Sequence, residues 1–532
     1  MASDESAVNR SVTKVSGLTG LSRVLGLGRE MLTSRLVGAS LEQSAFVFAF
    51  TIPNLFRKLF GEGALSAAFV PVFKAQIEHA RLVEAERLAK AVASMVFLLL
   101  AAICAVSMVV LSVLLPMFEP GGRVAVTMRL TRTMLPYAVM ICTGAFGMGI
   151  LNAFGQFGRA AFAPVILNVV WIATLAGLFF FPELSLFEKV SIVSWAVLLS
   201  GLLQMVFLLR AVRSSGIRLG LTFEGWLGPN VRVVWRNTLI GALGMGAVQI
   251  NLVLDNALAF WAAGWAPSAI AYAERLVYLP LGVIATAFAT VLLPTLAGSF
   301  ARGEIEGAKT TLRRSMEDVL LLTLPAGLGL ALLSGDIVAF VYEGGAFSAG
   351  DTVRVSRALM CYAPGLLVFS LNKILTPWFY AQQDMKTPLK VAIGMVGVNA
   401  VLNIALVLTL PVEWKHAGIA GSTVFCSLVA SFVLAWKARV SHGLMGFGRL
   451  VRPLSRMVVA VALMGVAVLG TRAIGRTYLG EGRLAAVAIL GCSILAGIVV
   501  YGVVVWRLCP DPVRRVLMRR ERRSLANAAG DR

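Results

Sequence analysis

The chemically capable residues of this chain are charges set in stretches of sequence that an apolar solvent would otherwise accept. Arg23, Arg29 and Arg35 share the first such stretch, and Arg57, Lys58 and Glu62 share the next. Arg275 follows Glu274 near the start of a later one, and Lys373 lies inside another. An arginine at the centre of a membrane helix costs about 2.5–3.5 kcal/mol on insertion scales, so such residues must face water or protein. Guanidinium forks beside a cavity suit a diphosphate, because each offers two parallel donors to phosphate oxygens. Arg23 and Arg29 are about 120° apart around a regular helix, and a bend at Gly26 and Gly28 would bring them to one side. Arg35 fits the alternative of a helix-end side chain reaching back to the interface. Arg275 reads as cavity-facing or as an interfacial anchor. Arg57 and Glu62 read as a gating network or as a pair that matches buried charge, and Glu274 is grouped with them as a gating or ion-pair candidate.

A second group differs in kind. Asp255 is the acid deep in its span, Asn399 and Asn403 stand i, i+4 on one helix face, and Thr423 lies in the following span. A carboxylate with amide and hydroxyl oxygens is a donor set for a hard cation, so Na+ or H+ is the coupling ion this group suggests. Hydrogen bonding between helices is the competing reading. The histidines His79, His416 and His442 fall in expected loops far apart, and the six cysteines are scattered without a C-x-x-C pair, so neither a metal centre nor a cofactor is expected. There is no P-loop, no H-E-x-x-H and no G-x-S-x-G, and no polar segment is long enough for a nucleotide-binding domain. That excludes the common hydrolases and an ATP-driven pump.

The elements that carry these residues follow from composition. Hydrophobic residues make up 58% of 532 and charged ones 14%, against about 45–50% and 25% in soluble domains. The class is therefore an all-α polytopic membrane protein. Fourteen spans are expected, at 16–39, 45–73, 91–117, 130–154, 161–182, 189–209, 237–262, 267–299, 315–342, 352–381, 388–411, 417–436, 454–473 and 484–507. With the N-terminus cytoplasmic, the loops and tails on that side hold about 29 Lys and Arg and the opposite loops about 7. Positive loops stay inside, so both termini are expected in the cytoplasm, and the net charge of +21 needs no nucleic-acid partner. The basic tail around Arg514–Arg523 reads as an anchor to anionic phospholipids.

An internal repeat appears at an offset of 225: Arg132, Tyr137 and Ala138 match Arg357, Tyr362 and Ala363, and Phe154 matches Phe379. It predicts two pseudo-symmetric six-helix lobes related by an axis along the membrane normal, with substrate bound between them. The organisation is then an N-lobe at 1–209, a C-lobe at 210–436, two extra C-terminal helices within 437–507 and a basic tail at 508–532.

Several local patterns carry a family likeness: Ser22-Arg-Val-Leu-Gly26, Arg29-Glu30, Ile52-Pro-Asn-Leu-Phe-Arg57, Gly61-Glu-Gly-Ala-Leu-Ser66, Phe69-Val-Pro71, Ala273-Glu-Arg275, Gln383-Asp-Met-Lys-Thr-Pro388 and His416-Ala-Gly418. Together they resemble the MurJ (MviN) family of lipid II flippases, within the multidrug/oligosaccharidyl-lipid/polysaccharide exporter superfamily. The resemblance spans all fourteen segments and is most specific in the first seventy residues. It implies transport of undecaprenyl-diphosphate-linked disaccharide-pentapeptide from the cytoplasmic to the periplasmic leaflet of the bacterial inner membrane, by alternating access. Arg23, Arg29 and Arg275 match cavity arginines of the family, and Arg57 matches a further one. The last two spans match a groove for the lipid tail, and Asp255, Asn399, Asn403 and Thr423 agree in kind with a sodium site found in some relatives. Ser44 stands where relatives often carry Asp, which puts any gate built on that acid in doubt. The implied protein is a monomeric transporter, not an enzyme, that meets cell-wall synthesis enzymes. The competing readings are a cation-coupled drug or other polyprenyl-diphosphate-oligosaccharide exporter, and a non-transporting scaffold.

Overall fold

The computed structural model describes residues 2–515 except Glu62, Gly63, Ala80, Leu444 and Glu481, and it does not describe the side chains of 2–16 and of a few positions in 61, 240–248 and 286–290. Glu62 and most of the basic tail therefore lie outside the described residues. Within them every regular element is helical. The order is α1 (Ala2–Val37), α2 (Leu41–Phe56), a π-turn (Arg57–Gly61), α3 (Ala64–Glu78), α4 (Leu82–Leu114), α5 (Arg123–Ala153), α6 (Phe157–Leu178) and α7 (Leu186–Ser214). There follow α8 (Pro229–Ala262), α9 (Ala266–Ala301), α10 (Ile305–Leu332), α11 (Ser334–Tyr342), α12 (Ala349–Tyr362) and α13 (Gly365–Tyr380). The last four are α14 (Lys386–Thr409), α15 (Val412–His442), α16 (Gly448–Leu479) and α17 (Arg483–Leu508).

Eleven segments among the described residues are long and apolar enough to cross a membrane. The expected spans outside that set are the charge-bearing ones. α1 carries Arg23, Arg29, Glu30 and Arg35; the second span is interrupted by the π-turn at Arg57–Gly61; α8 holds Asp255. Apolar side chains also point outward, as at Val106, Val109 and Val113 on α4. Lipid, not water, is the solvent that tolerates such a face.

Sequence signals set several helix ends. Ser185 and Glu188 form a reciprocal capping box at the start of α7, and Ser348 and Asp351 do the same for α12. The repeat pairs α5 with α12 and α13, yet the copies differ. α5 runs unbroken through Pro136, whereas its counterpart stops at Tyr362 and restarts at Gly365. Pro364 in that gap has no N–H to continue the ladder.

Packing divides the chain into two compact units, residues 1–260 with 344–347, and 261–343 with 348–532. By packing, α8 goes with the first unit; by the repeat it opens the second lobe. In the first unit α1 lies along α6, and α5 packs on α2 and α7. Its largely aliphatic core includes aromatic pairs: Phe46 meets Trp171 edge-on at 5.2 Å, and Phe69 lies tilted against Phe146 at 4.5 Å. The same unit includes the turn Gly344–Phe347, where the Ala346 N–H donates to the Arg35 carbonyl at 2.7 Å. Gly38 and Gly345 both have positive φ there, and a Cβ on either would collide with the facing backbone oxygen. In the second unit α16 and α17 pair closely, and Asp336 of α11 holds Arg472 of α16 at 2.7 Å.

Candidate functional site

In the first unit, α1 is one continuous helix through Gly26 and Gly28, so Arg23 and Arg29 leave it in different directions. Arg23 is exposed, while Arg29 is only 7% exposed. The Arg29 guanidinium donates to Glu30 Oε1 at 2.6 Å and to Asn168 Oδ1 at 3.1 Å, and its Cζ lies 4.3 Å from the centre of the Trp171 ring. Asn168 returns to α1, donating from Nδ2 to the Ser22 carbonyl at 3.0 Å. Each of these contacts lowers the cost of a cation in a low-dielectric place: the carboxylate neutralises it, the amide solvates it, and the ring face attracts it. Arg29 Nε is buried and has no hydrogen-bond partner among the described residues. Arg57, also partly buried, sits on the π-turn, a wide turn that is frequent at functional sites. Arg35 occupies the last turn of α1.

Asn168 and Trp171 were missed by sequence reasoning. The available signal was an amide one turn from an indole inside an apolar run, but nothing local ties it to Arg29, 139 residues away.

Asp255, also in the first unit, accepts from Asn251 Nδ2 at 3.0 Å across one turn of α8. Asn399, Asn403 and Thr423 belong to the second unit and come together there. Asn403 Nδ2 donates to Asn399 Oδ1 at 3.0 Å, Asn399 Nδ2 reaches Ser422 Oγ at 3.2 Å and Thr423 Oγ1 at 3.5 Å, and Ser422 Oγ closes on Asn403 Oδ1. Asn399, Asn403 and Ser422 are buried. Ser422 is a member that sequence reasoning did not name. These groups carry no formal charge, and their mutual hydrogen bonds account for their burial.

Arg275 is exposed on α9 of the second unit, and Glu274 beside it is partly buried. Lys373 is exposed on α13. His416, expected in a loop, is instead a buried residue in the first turns of α15. Its Nε2 lies 2.7 Å from the Arg354 carbonyl, and its ring meets Trp265 edge-on at 4.8 Å. His442 likewise ends α15 instead of lying in a loop. Both were misplaced because the preceding polar residues resemble a loop in composition, while α15 extends well beyond its apolar centre.

The architecture now has charged and amide clusters set in an all-helical, membrane-crossing chain. A family model described as Lipid II flippase MurJ matches residues 33–489. The chain belongs to the MurJ family of lipid II flippases. The probable lipid II flippase MurJ of Rhizobium tropici is 39% identical over 407 residues, covering 75% of this chain and 76% of that protein. The lipid II flippase MurJ of Burkholderia cenocepacia is 36% identical over 407 residues, covering 75% and 78%. A solved lipid II flippase MurJ in an inward closed conformation superposes with a TM-score of 0.73 at 22% identity, covering 94% of this chain and 99% of that one. An inward-facing multidrug resistance MATE transporter of the MOP superfamily gives 0.65 at 16% identity, covering 80% and 95%. At those identities the two structures establish a shared fold. The MurJ family is one of transporters, not of enzymes.

Proposed function

We propose that this protein carries lipid II from the cytoplasmic to the periplasmic leaflet of a bacterial inner membrane by alternating access of two six-helix lobes. Membership of the MurJ family is the observation that carries the reading. The charge pattern supports it: arginines that a membrane helix would otherwise reject are retained, and Arg29 is given a carboxylate, an amide and a ring to hold it.

In this reading Arg23, Arg29, Arg57 and Arg275 supply the positive lining that receives the diphosphate. Arg23 and Arg275 offer exposed guanidiniums. Arg29 engages phosphate by exchanging Glu30 for a phosphate oxygen, so that Glu30 competes with substrate. Glu62 and Glu274 are the gating or ion-pair carboxylates. The spans number fourteen, both termini are cytoplasmic, and α16 and α17 form the groove for the lipid tail. The working unit is a monomer bathed in anionic phospholipid and served by cell-wall synthesis enzymes. Na+ or H+, taken up at Asp255 or at the group Asn399, Asn403 and Thr423, resets the cycle. Membrane potential favours outward movement of the anionic headgroup, by about 2.3 kcal/mol per charge per 100 mV.

A cation-coupled exporter of the same superfamily is the second reading, favoured by the MATE likeness of the fold. An arginine-rich lining repels cationic drugs, which weighs against it. Complementation separates the two. Expression in a strain depleted of its own lipid II flippase should restore growth and cell shape; protein that reaches the membrane without restoring either refutes the flippase reading. Cysteines introduced near Glu119 and Glu413 should label from the periplasm and near Glu304 from the cytoplasm, and the reverse pattern refutes the orientation.

A further inference from the structure

In the first unit, α6 and α7 line an open groove of about 620 Å³ whose wall includes Ile166, Leu203, Val206 and Phe207 and which also carries Arg159 and Arg210. The volume falls in the range of small-molecule sites, about 300–1,000 Å³. The apolar wall continues onto exposed Trp195, Leu199 and Leu202 of α7, a surface suited to acyl chains. No carboxylate lines the groove. Arg159 is held in place: its Nη1 donates to Ser214 Oγ at 2.7 Å and to Gln156 Oε1 at 3.0 Å, and Gln156 Nε2 in turn donates to Ser215 Oγ at 2.9 Å. Its Nε and Nη2 have no protein partner among the described residues, and neither has the exposed Arg210 guanidinium.

Two uncompensated cations beside an apolar wall form an amphipathic socket. Arg159 directly precedes the apolar span of α6 and Arg210 directly follows that of α7, so both sit at one membrane boundary, the level of the headgroups. We infer that this groove is a binding site for an anionic glycerophospholipid. The phosphodiester lies between the two guanidinium forks and an acyl chain follows Leu203, Val206 and Phe207. A zwitterionic lipid presents the same phosphate but brings a cation against Arg210, and the socket discriminates against it. The occupant is resident membrane lipid, distinct from the transported lipid II. The placement at the cytoplasmic leaflet rests on the orientation proposed above; the binding does not.

The test is native mass spectrometry of the full chain, released from detergent with added dioleoylphosphatidylglycerol or dioleoylphosphatidylcholine. The phosphatidylglycerol should be retained in preference. Arg210→Ala should weaken its retention about fivefold, and Arg159→Ala with Arg210→Ala about fivefold again. Leu203→Trp, which fills the groove without altering charge, should weaken it too, while Lys74→Ala on α3 should not. Arg210 has no hydrogen bond or ion pair to lose among the described residues, so its single variant stands if the double variant does not fold. Equal retention of both lipids, or retention unchanged in Arg210→Ala, overturns the site. Displacement by millimolar inorganic phosphate would make it a free-anion site, and displacement by equimolar lipid II would make it part of the substrate path; either result also overturns the proposal. A chain that fails complementation but binds phosphatidylglycerol as described keeps this inference while losing the flippase reading.

Discussion

The surroundings of Arg29 and the Asn399–Asn403 cluster solve one problem by opposite means. Both place polar groups where an apolar solvent would reject them. Around Arg29 a formal charge is held by a carboxylate, an amide and a ring drawn from α1 and α6. Around Asn399 neutral amides and hydroxyls of α14 and α15 bond to one another. A charge-assisted site is strong while complete and costly when one partner is lost, whereas a neutral network loses only the bonds removed. It follows that the first region should couple stability to function tightly, and the second should not.

The largest effect is expected at Arg29. Arg29→Ala leaves Glu30 without its nearest cation and should cost about 3–5 kcal/mol in detergent unfolding, with flipping lost. Arg29→Ala combined with Glu30→Gln should recover most of that stability and none of the flipping. A double variant as unstable as the single one would break the comparison. Glu30→Gln alone sharpens it: freed from competition, Arg29 should hold lipid II more tightly and release it more slowly, measured as a lower Kd with lower turnover.

Next in size is the neutral cluster. Asn403→Leu should cost about 1–2 kcal/mol, the scale of interhelical hydrogen bonds in membranes, and a loss matching that of Arg29→Ala would erase the distinction. Asp255→Asn should slow turnover without weakening lipid II binding; turnover unaffected under every sodium and proton gradient removes coupling from Asp255.

Arg23→Ala inverts the Arg29 result. Arg23 is exposed, so unfolding should shift by no more than about 0.5 kcal/mol while flipping falls. The smallest effect on flipping is expected outside both regions, at Asp384. Hydrogen bonds from the Thr387 side chain and from the Thr387 and Lys386 backbone N–H groups hold its carboxyl below the usual range. Its folded value is depressed, so this stabilisation is complete above about pH 4 and is lost as pH falls through the lowered value. Asp384→Ala should flatten the fall in Tm on acidification and leave flipping unchanged.

The contrast also marks how far sequence reached. Apolar runs and charge asymmetry are local properties of a chain in lipid, so the helical class and the odd positions of Arg23, Arg29 and Arg275 were legible from residue types alone. The partners of Arg29 were not. Asn168 and Trp171 meet it only because α6 packs along α1, and a one-dimensional pattern holds no record of that neighbour. Helix breaks were equally hidden: the π-turn at Arg57–Gly61 and the gap at Ala363–Pro364 sit within stretches that the sequence pattern reads as single spans. Asn399 and Asn403 were legible as a pair by their spacing, but Ser422 was one hydroxyl residue among many until α15 placed it against them.

The central claim is that a chain holding a buried, supported arginine in α1 moves a lipid diphosphate across the membrane. Leaflet-resolved measurement of lipid II, in cells depleted of their own flippase and expressing this chain or its Arg29→Ala, Glu30→Gln double variant, tests it most directly. Lipid II should appear in the periplasmic leaflet with the unaltered chain, and remain cytoplasmic with the double variant at equal protein level. Lipid II reaching the periplasmic leaflet equally in both cases, or in neither, would contradict the account.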